Sequence, residues 1–385
     1  MRLAHLSLKN WRNFKAVDIP VADRLFVVGP NASGKSNLLD ALRFLRDVAA
    51  TGGGLQPALE VRGGLKRVRC LAARNFNHGR VNLEICLSDI ANNTEWTYEL
   101  SFKSEPAGRH RPIVFSEIVR RNDEIVLDRP SPEDENDKER LTQTALEQVN
   151  TNKNFREIAE FLVGIRYLHL VPQVMRDPDM GQNGNMDPFG RNLLVRMSET
   201  NKRTLDARLR KINEALRVAV PQLQELRLVR DAAGAPHLEA SYHHWRRNAV
   251  WQDESDFSDG TLRLIGMLWM LTERSSRTNQ VILMEEPELS LHDAIVRRLP
   301  SLLSRATRHS GTQAILSTHS MEILADPGLG LDEVVILQPD KEGTTAIMAA
   351  DLEGIEDHLA LDFGLNEILA QRTTPSGIEK LSLLL

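Results

Sequence analysis

One stretch near the start of the chain, "VVGPNASGKSNLL" at residues 27–39, leaves few folds open. The apolar run "RLFVVG" leads into it and reads as a strand buried on both faces. After it, Leu38, Ala41, Leu42, Leu45 and Val48 recur at helical spacing, up to the breaker "TGGG". Between strand and helix, Gly29, Gly34, Lys35 and Ser36 fit the spacing G-x-x-x-x-G-K-S. Glycines let the backbone curl until successive N–H groups face one point. A helix beginning near Lys35 adds its positive dipole end there. The whole predicts a phosphate cradle lined by Gly29, Pro30, Asn31, Ala32, Ser33, Gly34, Lys35, Ser36 and Asn37. Lys35 would reach the β- and γ-phosphates of ATP, and the Ser36 hydroxyl would hold Mg²⁺. The rival reading is a glycine turn that binds nothing.

Three later stretches bear on that choice. In "VILMEEPE", four apolar residues deliver Glu285 and Glu286 to a strand end, where open α/β sheets gather ligands. Glu285 is the candidate Mg²⁺ ligand and Glu286 the candidate base that polarises the attacking water. In "ILSTHS", His319 follows another buried strand. A lone histidine is more often structural, but a strand neighbouring that of Glu286 would bring His319 to the γ-phosphate or the water. In "FSDGTLRL", Ser258 and Gly260 precede a helix whose first turn suits an anion. Capping by Ser258 or Asp259 explains the serine equally well, and Gly260 less well.

The remainder reads as a mixed α/β chain. Residues 1–20 suggest an antiparallel hairpin. From Val68 to about Arg129, "VNLEICLS", "EWTYELSF", "PIVFSEIV" and "EIVLD" read as short strands between turns. The acidic run "SPEDENDKER" reads as a solvated loop and helix start rather than a metal site. A helical stretch is expected over about 141–163, and then "IRYLHLV" as a buried strand. "RDPDMGQNGNMDPFG" reads as loop. Leu205, Leu209, Ile212 and Leu216 fall on one helix face, and "LQELRLV" and "HLEASY" suggest a hairpin. "FSDGTLRLIGMLWML" reads as a buried helix, and "DAIVRRLPSLLSRA" as a helix kinked at Pro300.

Composition narrows the setting. A length of 385 residues allows two or three domains, and 41% hydrophobic residues suit a globular chain. The net charge of -5 argues against coating nucleic acid non-specifically, though not against a local basic groove. Cys70 and Cys86 show no metal-type spacing, which points to a reducing compartment. The opening "MRLAHLSLKNWRNF" lacks the apolar core of a signal peptide, and no window approaches the roughly 20 apolar residues of a bilayer span. A cytoplasmic protein without membrane contact is expected.

In the order GPNASGKS, FSDGT, LMEEPE and STHS, these motifs resemble the ABC-type ATPase heads of the RecF, SMC and OLD families. The wording is most similar to the small stand-alone AAA family ATPases related to them, the AAA_21 type. The resemblance covers roughly residues 1–50 and 250–340 and is weak between. It implies an α/β P-loop NTPase with an ABC-type head: a mixed central sheet, an antiparallel β subdomain and a helical lobe. The implied head spans 1–173 and 250–350, with a β-rich subdomain at about 66–130. A helical lobe with a small hairpin would fill 174–249, and 351–385 would be a C-terminal tail. Residues 29–37 would be the Walker A loop, Glu285 and Glu286 the Walker B pair and His319 the switch histidine. Residues 288–292, "ELSLH", would be the D-loop, and Gln173 the Q-loop glutamine that senses Mg²⁺ and the attacking water. Ser258 and Gly260 would form the signature that contacts ATP on a second copy. One departure is Glu285, where many heads carry Asp. No Toprim domain of the OLD nucleases fits after His319, and no long SMC coiled coil is present. "DFG" at 362–364 lacks the partner motif of a kinase.

The resemblance implies a homodimer or larger assembly that ATP closes and hydrolysis opens. It further implies an effector partner, a nuclease or toxin, in bacterial anti-phage defence. A RecF-like DNA-binding role is the alternative, with "NKRTLDARLRK" and "HHWRRNAVW" on phosphates. Against it, Arg208, Arg210 and Lys211 flank an apolar face, as on any surface helix. An adaptor that holds a toxic effector inactive is a third reading.

Overall fold

A computed structural model describes residues 1–72, 79–89, 91–106, 109–177, 187–243, 250–273, 280–361 and 363–374. The strands are β1 (Arg2–Trp11), β2 (Phe14–Pro20), β3 (Arg24–Val28), β4 (Val81–Asp89), β5 (Thr94–Ser104), β6 (Pro112–Arg121), β7 (Glu124–Arg129), β8 (Arg166–Leu168), β9 (Leu223–Arg230), β10 (Pro236–Tyr242), β11 (Trp251–Asp253), β12 (Val281–Glu285), β13 (Gln313–Thr318), β14 (Val334–Asp340) and β15 (Gly343–Met348). The chain divides into two compact units, one of Met1–Arg166, Arg277–Leu283 and Thr307–Leu385, the other of Tyr167–Ser276 and Met284–Ala306.

The first unit contains an antiparallel sheet in the order β2-β1-β4-β5-β6-β7. Its strands alternate as a half-buried sheet must: Val81, Leu83, Ile85 and Leu87 of β4 point inward, opposite Phe102, Leu100, Tyr98 and Trp96 of β5. A mixed sheet has the order β15-β14-β3-β13-β12-β8. Its middle is parallel, with β13 and β14 flanking β3, while β15 returns antiparallel. All five residues of β3 and all six of β13 are buried, as strands covered on both faces should be, including the polar Arg24, Gln313, Ser317 and Thr318 at their ends. The expected P-loop fold, with its mixed central sheet and antiparallel β subdomain, is what the chain adopts.

The second unit holds the small sheet β11-β10-β9 and the Lys202–Ala219 helix, which buries Leu209, Ile212 and Leu216. The Asp259–Thr272 helix is buried at every position from Thr261 to Met270, matching its nearly unbroken apolar sequence. No helix among the described residues is long and apolar enough to cross a membrane.

Some local expectations give way. The stretch 141–163 is helical only at Arg156–Val163, with short 3-10 turns at Lys138–Thr142 and Asn152–Asn154. The cause is the buried Glu117 carboxylate. It accepts the N–H groups of Ala145 (2.6 Å) and Leu146 (3.0 Å), donors that a helix through this segment would need inside itself. The helix expected to kink at Pro300 is two helices, Asp293–Val296 and Leu299–Ser310. Pro300 sits in the first turn of the second, where its missing N–H costs no helical bond. The acidic run is not simply solvated. Ser131 and Asp134 form a capping box for Pro132–Asn136, and Asp134 is buried on Arg129. The buried strand expected from "IRYLHLV" shortens to β8. Residues 178–186 of the expected loop, 244–249 of the basic stretch and Asp362 of "DFG" lie outside the described residues.

Candidate nucleotide-binding site

The loop from Gly29 to Gly34 joins β3 to the Lys35–Ala49 helix in the first unit. Gly34 stands at φ 98°, and no side chain caps the helix that follows it. The helix therefore starts without a capping side chain, its positive end on the loop side. A Cβ on Gly34 would lie 2.2 Å from the Asn13 amide nitrogen, and one on Gly29 would lie 2.6 Å from Ser33 Oγ and 2.8 Å from Leu337 O. Lys35 is buried, and its Nζ donates to the Gly29 and Pro30 carbonyls at 2.9 and 3.1 Å. A lysine arched over the loop that closes around it suits the binding of a triphosphate.

The loop is pinned from a distance. Asn13, in the turn between β1 and β2, donates Nδ2 to Ser33 O (2.8 Å) and Thr344 Oγ1 (2.7 Å), and its Oδ1 accepts from Asn37 Nδ2 (2.7 Å). Trp11, fully buried against Phe44, donates its indole N–H to Asn37 O at 2.8 Å. On the same helix, Asp40 meets the guanidiniums of Arg12 and Arg62, each at 2.9 Å. Burial pushes the Asp40 carboxyl up, but Arg62 and then Arg12 outweigh it and hold it below the usual carboxylate range. Asn13 carries no motif in sequence. Its contacts reach residues 20 and 331 positions away, so no local signal marked it.

His319 follows β13 and is exposed. Thr318 pairs with Val28 in the parallel register, so His319 leaves the sheet beside the start of the phosphate loop at Gly29.

The carboxylates lie in the second unit. Glu285 ends β12 and accepts a hydrogen bond from the Tyr167 hydroxyl. Glu286 stands just beyond, at φ 46°. A glutamate holds that left-handed conformation at a cost of about 1–2 kcal/mol, and such strain collects at functional sites. Arg263 of the Asp259–Thr272 helix lies with Nη1 3.4 Å from Glu286 O. Burial pulls the Arg263 guanidinium below its usual range, against the pull of Asp259, Glu288 and Glu286.

Ser258 caps that same helix. Its hydroxyl accepts from Thr261 N at 3.2 Å while the residue stays exposed. A Cβ on Gly260 would fall 2.3 Å from the Ser290 carbonyl oxygen. The glycine therefore lets the helix start approach the backbone of 288–292, where Ser290 is itself left-handed at φ 64°. Gln173, on Pro172–Met175, donates its amide to Asp259 Oδ2 at 2.8 Å, and Arg176 pairs with Asp259 Oδ1 at 2.7 Å. Gln173 is thus engaged with the FSDGT segment, a contact that the sequence did not announce.

The Ser36 hydroxyl beside the cradle is a hard oxygen donor, the kind that Mg²⁺ prefers, and with the cradle and Lys35 it fits a Mg²⁺-nucleotide. In the second unit, the Glu285 carboxylate is a donor of the same kind.

Residues 25–325 match the family described as "AAA domain, putative AbiEii toxin, Type IV TA system", and residues 3–45 match the P-loop containing region of AAA domain. No curated protein matches the chain. Among solved structures, the chain is similar to an SMC head bound to the C-winged helix domain of ScpA, at 17% identity and TM-score 0.55, covering 90% of this chain and 98% of that one. It is similar to a Pyrococcus furiosus SMC head with an extended coiled coil bound to the C-terminal domain of ScpA, at 14% identity and TM-score 0.54, covering 94% and 98%. The SMC head domain from Thermotoga maritima aligns at 15% identity and TM-score 0.50, covering 90% and 99%. At these identities the likeness shows the fold, that of an SMC-type head. The family match over residues 25–325 goes further: this chain belongs to the AAA-domain family of P-loop ATPases that carries the AbiEii description.

Proposed function

We propose that the chain is a Mg²⁺-dependent ATPase whose copies pair on ATP and part on hydrolysis, and that this change of shape regulates a partner effector in bacterial anti-phage defence. The observation that carries the reading is the phosphate loop: an uncapped helix start behind a left-handed Gly34, with Lys35 arched over the Gly29 and Pro30 carbonyls. Lys35 exchanges those carbonyls for phosphate oxygens, a charge-assisted bond for a neutral one. Ser36 and Glu285 would hold the cation, which would supply charge stabilisation at the phosphates. Glu286 orients and deprotonates the attacking water, and His319 donates a hydrogen bond to the γ-phosphate or accepts one from that water. Ser258 and Gly260, at an exposed helix start, meet the phosphate held by a second copy. The defence setting draws support from the family description, which names a type IV toxin–antitoxin system, and partner binding from the ScpA-bound SMC heads.

Turnover by Lys35→Ala and Glu286→Gln tests the site, and wild-type rates in either would refute it. Mixing a Ser258→Ala chain with a Lys35→Ala chain tests the shared site. Pairing should restore part of the turnover, and dimers without any restoration would refute the sharing.

One observation favours DNA binding as a second reading. Arg203, Arg210 and Arg217 are exposed and recur every seventh residue along Lys202–Ala219 over about 21 Å, with the exposed Glu214 among them and Arg217 donating to the Gln224 carbonyl. Such a row suits a phosphate backbone, and binding through it should fall steeply with salt.

A further inference from the structure

Glu285 departs from the aspartate common at this position, and the structure shows what accompanies the departure. The longer carboxylate has one more rotatable bond, so it must be held to serve as a ligand. Tyr167 stands on β8, which lies beside β12 in the strand order. Its ring is buried, 8% exposed, and its hydroxyl donates to Glu285 Oε2. Around Glu285, the apolar side chains of Leu168, Leu170, Met267, Met284 and Pro287 line a cavity together with Arg263. The apolar part of that lining lowers the local dielectric, which strengthens a phenol–carboxylate bond. A tyrosine hydroxyl in this setting fixes the rotamer of the carboxylate that accepts from it.

We propose that Tyr167 is a positioning residue: its hydroxyl holds the Glu285 carboxylate so that the longer side chain serves the divalent cation of the bound nucleotide where a shorter aspartate would otherwise stand. The proposal rests on the reading of Glu285 as a cation ligand. It gives Tyr167, which no motif marks, a role transmitted through one named atom. Partners of this kind behind a metal ligand tune affinity by about 10- to 100-fold.

The test is Mn²⁺ titration by electron paramagnetic resonance, on full-length protein saturated with a non-hydrolysable ATP analogue. Tyr167→Phe keeps the ring and removes the donor. It should weaken Mn²⁺ binding about tenfold, with analogue affinity in excess chelator unchanged. In a Glu285→Asp background, where the carboxylate is withdrawn from the hydroxyl, the same Tyr167→Phe change should shift Mn²⁺ affinity by less than about twofold. Equal losses in both backgrounds would overturn the proposal, because the effect would then bypass Glu285. Wild-type Mn²⁺ binding in Tyr167→Phe, alongside a clear loss in Glu285→Gln, would overturn the proposal and leave the cation reading standing. Unchanged binding in Glu285→Gln would overturn both.

Discussion

Asn13 donates its side-chain amide to the Ser33 carbonyl at 2.8 Å, tying the phosphate loop to a turn 20 residues upstream. The same side chain bonds Thr344 and Asn37, so it joins three segments that are remote in sequence. Asn13→Ala would strip partners from each of them at a part-buried site, at a cost of about 2 kcal/mol. If that cost falls on the shape of the loop, nucleotide affinity drops by roughly 30-fold. Asn13→Asp should be as harmful, because an acceptor would then face the Ser33 carbonyl. Titration with a fluorescent ATP analogue, beside a thermal melt, checks this. A lowered melt with unchanged affinity would show that Asn13 serves the fold and not the cradle.

Ala32 stands exposed in the same loop at φ 62°. An alanine pays about 1–2 kcal/mol for that region and a glycine pays none. Ala32→Gly should therefore stabilise the loop conformation, offset by the greater freedom of glycine in the unfolded chain. The net expectation is a gain of about 0.5–1 kcal/mol in urea unfolding, with tighter nucleotide binding. Gly34→Ala should do the reverse, since its Cβ would overlap the Asn13 amide. A loss of stability in Ala32→Gly would mean that the loop relaxes away from this geometry.

The strand–loop–helix at Gly29 was legible because its information is local: two glycines, a lysine and the apolar runs on either side fix both shape and chemistry. The β9–β10 hairpin was legible for the same reason, with alternating residues around a short turn. What the sequence hid is non-local. Nothing in residues 141–155 shows that a carboxylate 28 residues earlier, Glu117, takes the Ala145 N–H and unravels the expected helix. Tyr167 lies 118 residues from the Glu285 it bonds. Gly260 looked like a ligand-binding glycine because its tight neighbour, Ser290, lies in another motif.

The buried Asp134 predicts an acid limb in the stability of the first unit. Arg129 grips it with two nitrogens at 3.0 Å, and Ser131 adds its N–H at 2.9 Å. Burial raises the carboxyl, but the hydrogen bonds from Arg129, followed by those from Ser131, bring it well below its ordinary value of 3.8. A depressed folded value means that this stabilisation is full above the unfolded value and fades as pH falls through the folded one. Asp134→Asn should lose about 3 kcal/mol at neutral pH, since Arg129 keeps a buried charge with fewer partners. The gap to wild type should narrow below about pH 4. Urea unfolding at a series of pH values measures both curves, and a constant gap would refute the assignment.

Gly260 offers a choice between two causes. If it is glycine only because ATP on a second copy approaches it, Gly260→Ala should melt like wild type without nucleotide and fail only in turnover. The Ser290 carbonyl predicts otherwise. A Cβ would sit 2.3 Å from a backbone oxygen that no rotamer change can move. Either the Asp259–Thr272 helix or the 288–292 loop must shift, an overpacking cost of about 2 kcal/mol. The nucleotide-free melt of Gly260→Ala should drop, and amide exchange should rise in 288–292. Ser258→Ala is the companion measurement. It removes the cap and the exposed hydroxyl with no added volume, so it should cost about 1 kcal/mol and leave exchange in 288–292 unchanged. If both variants lose turnover but only Gly260→Ala loosens that loop, the helix start contacts its own chain's loop through Gly260 and meets the nucleotide through Ser258. An unaltered melt and exchange pattern in Gly260→Ala would remove the packing role and leave the nucleotide as the reason for the glycine.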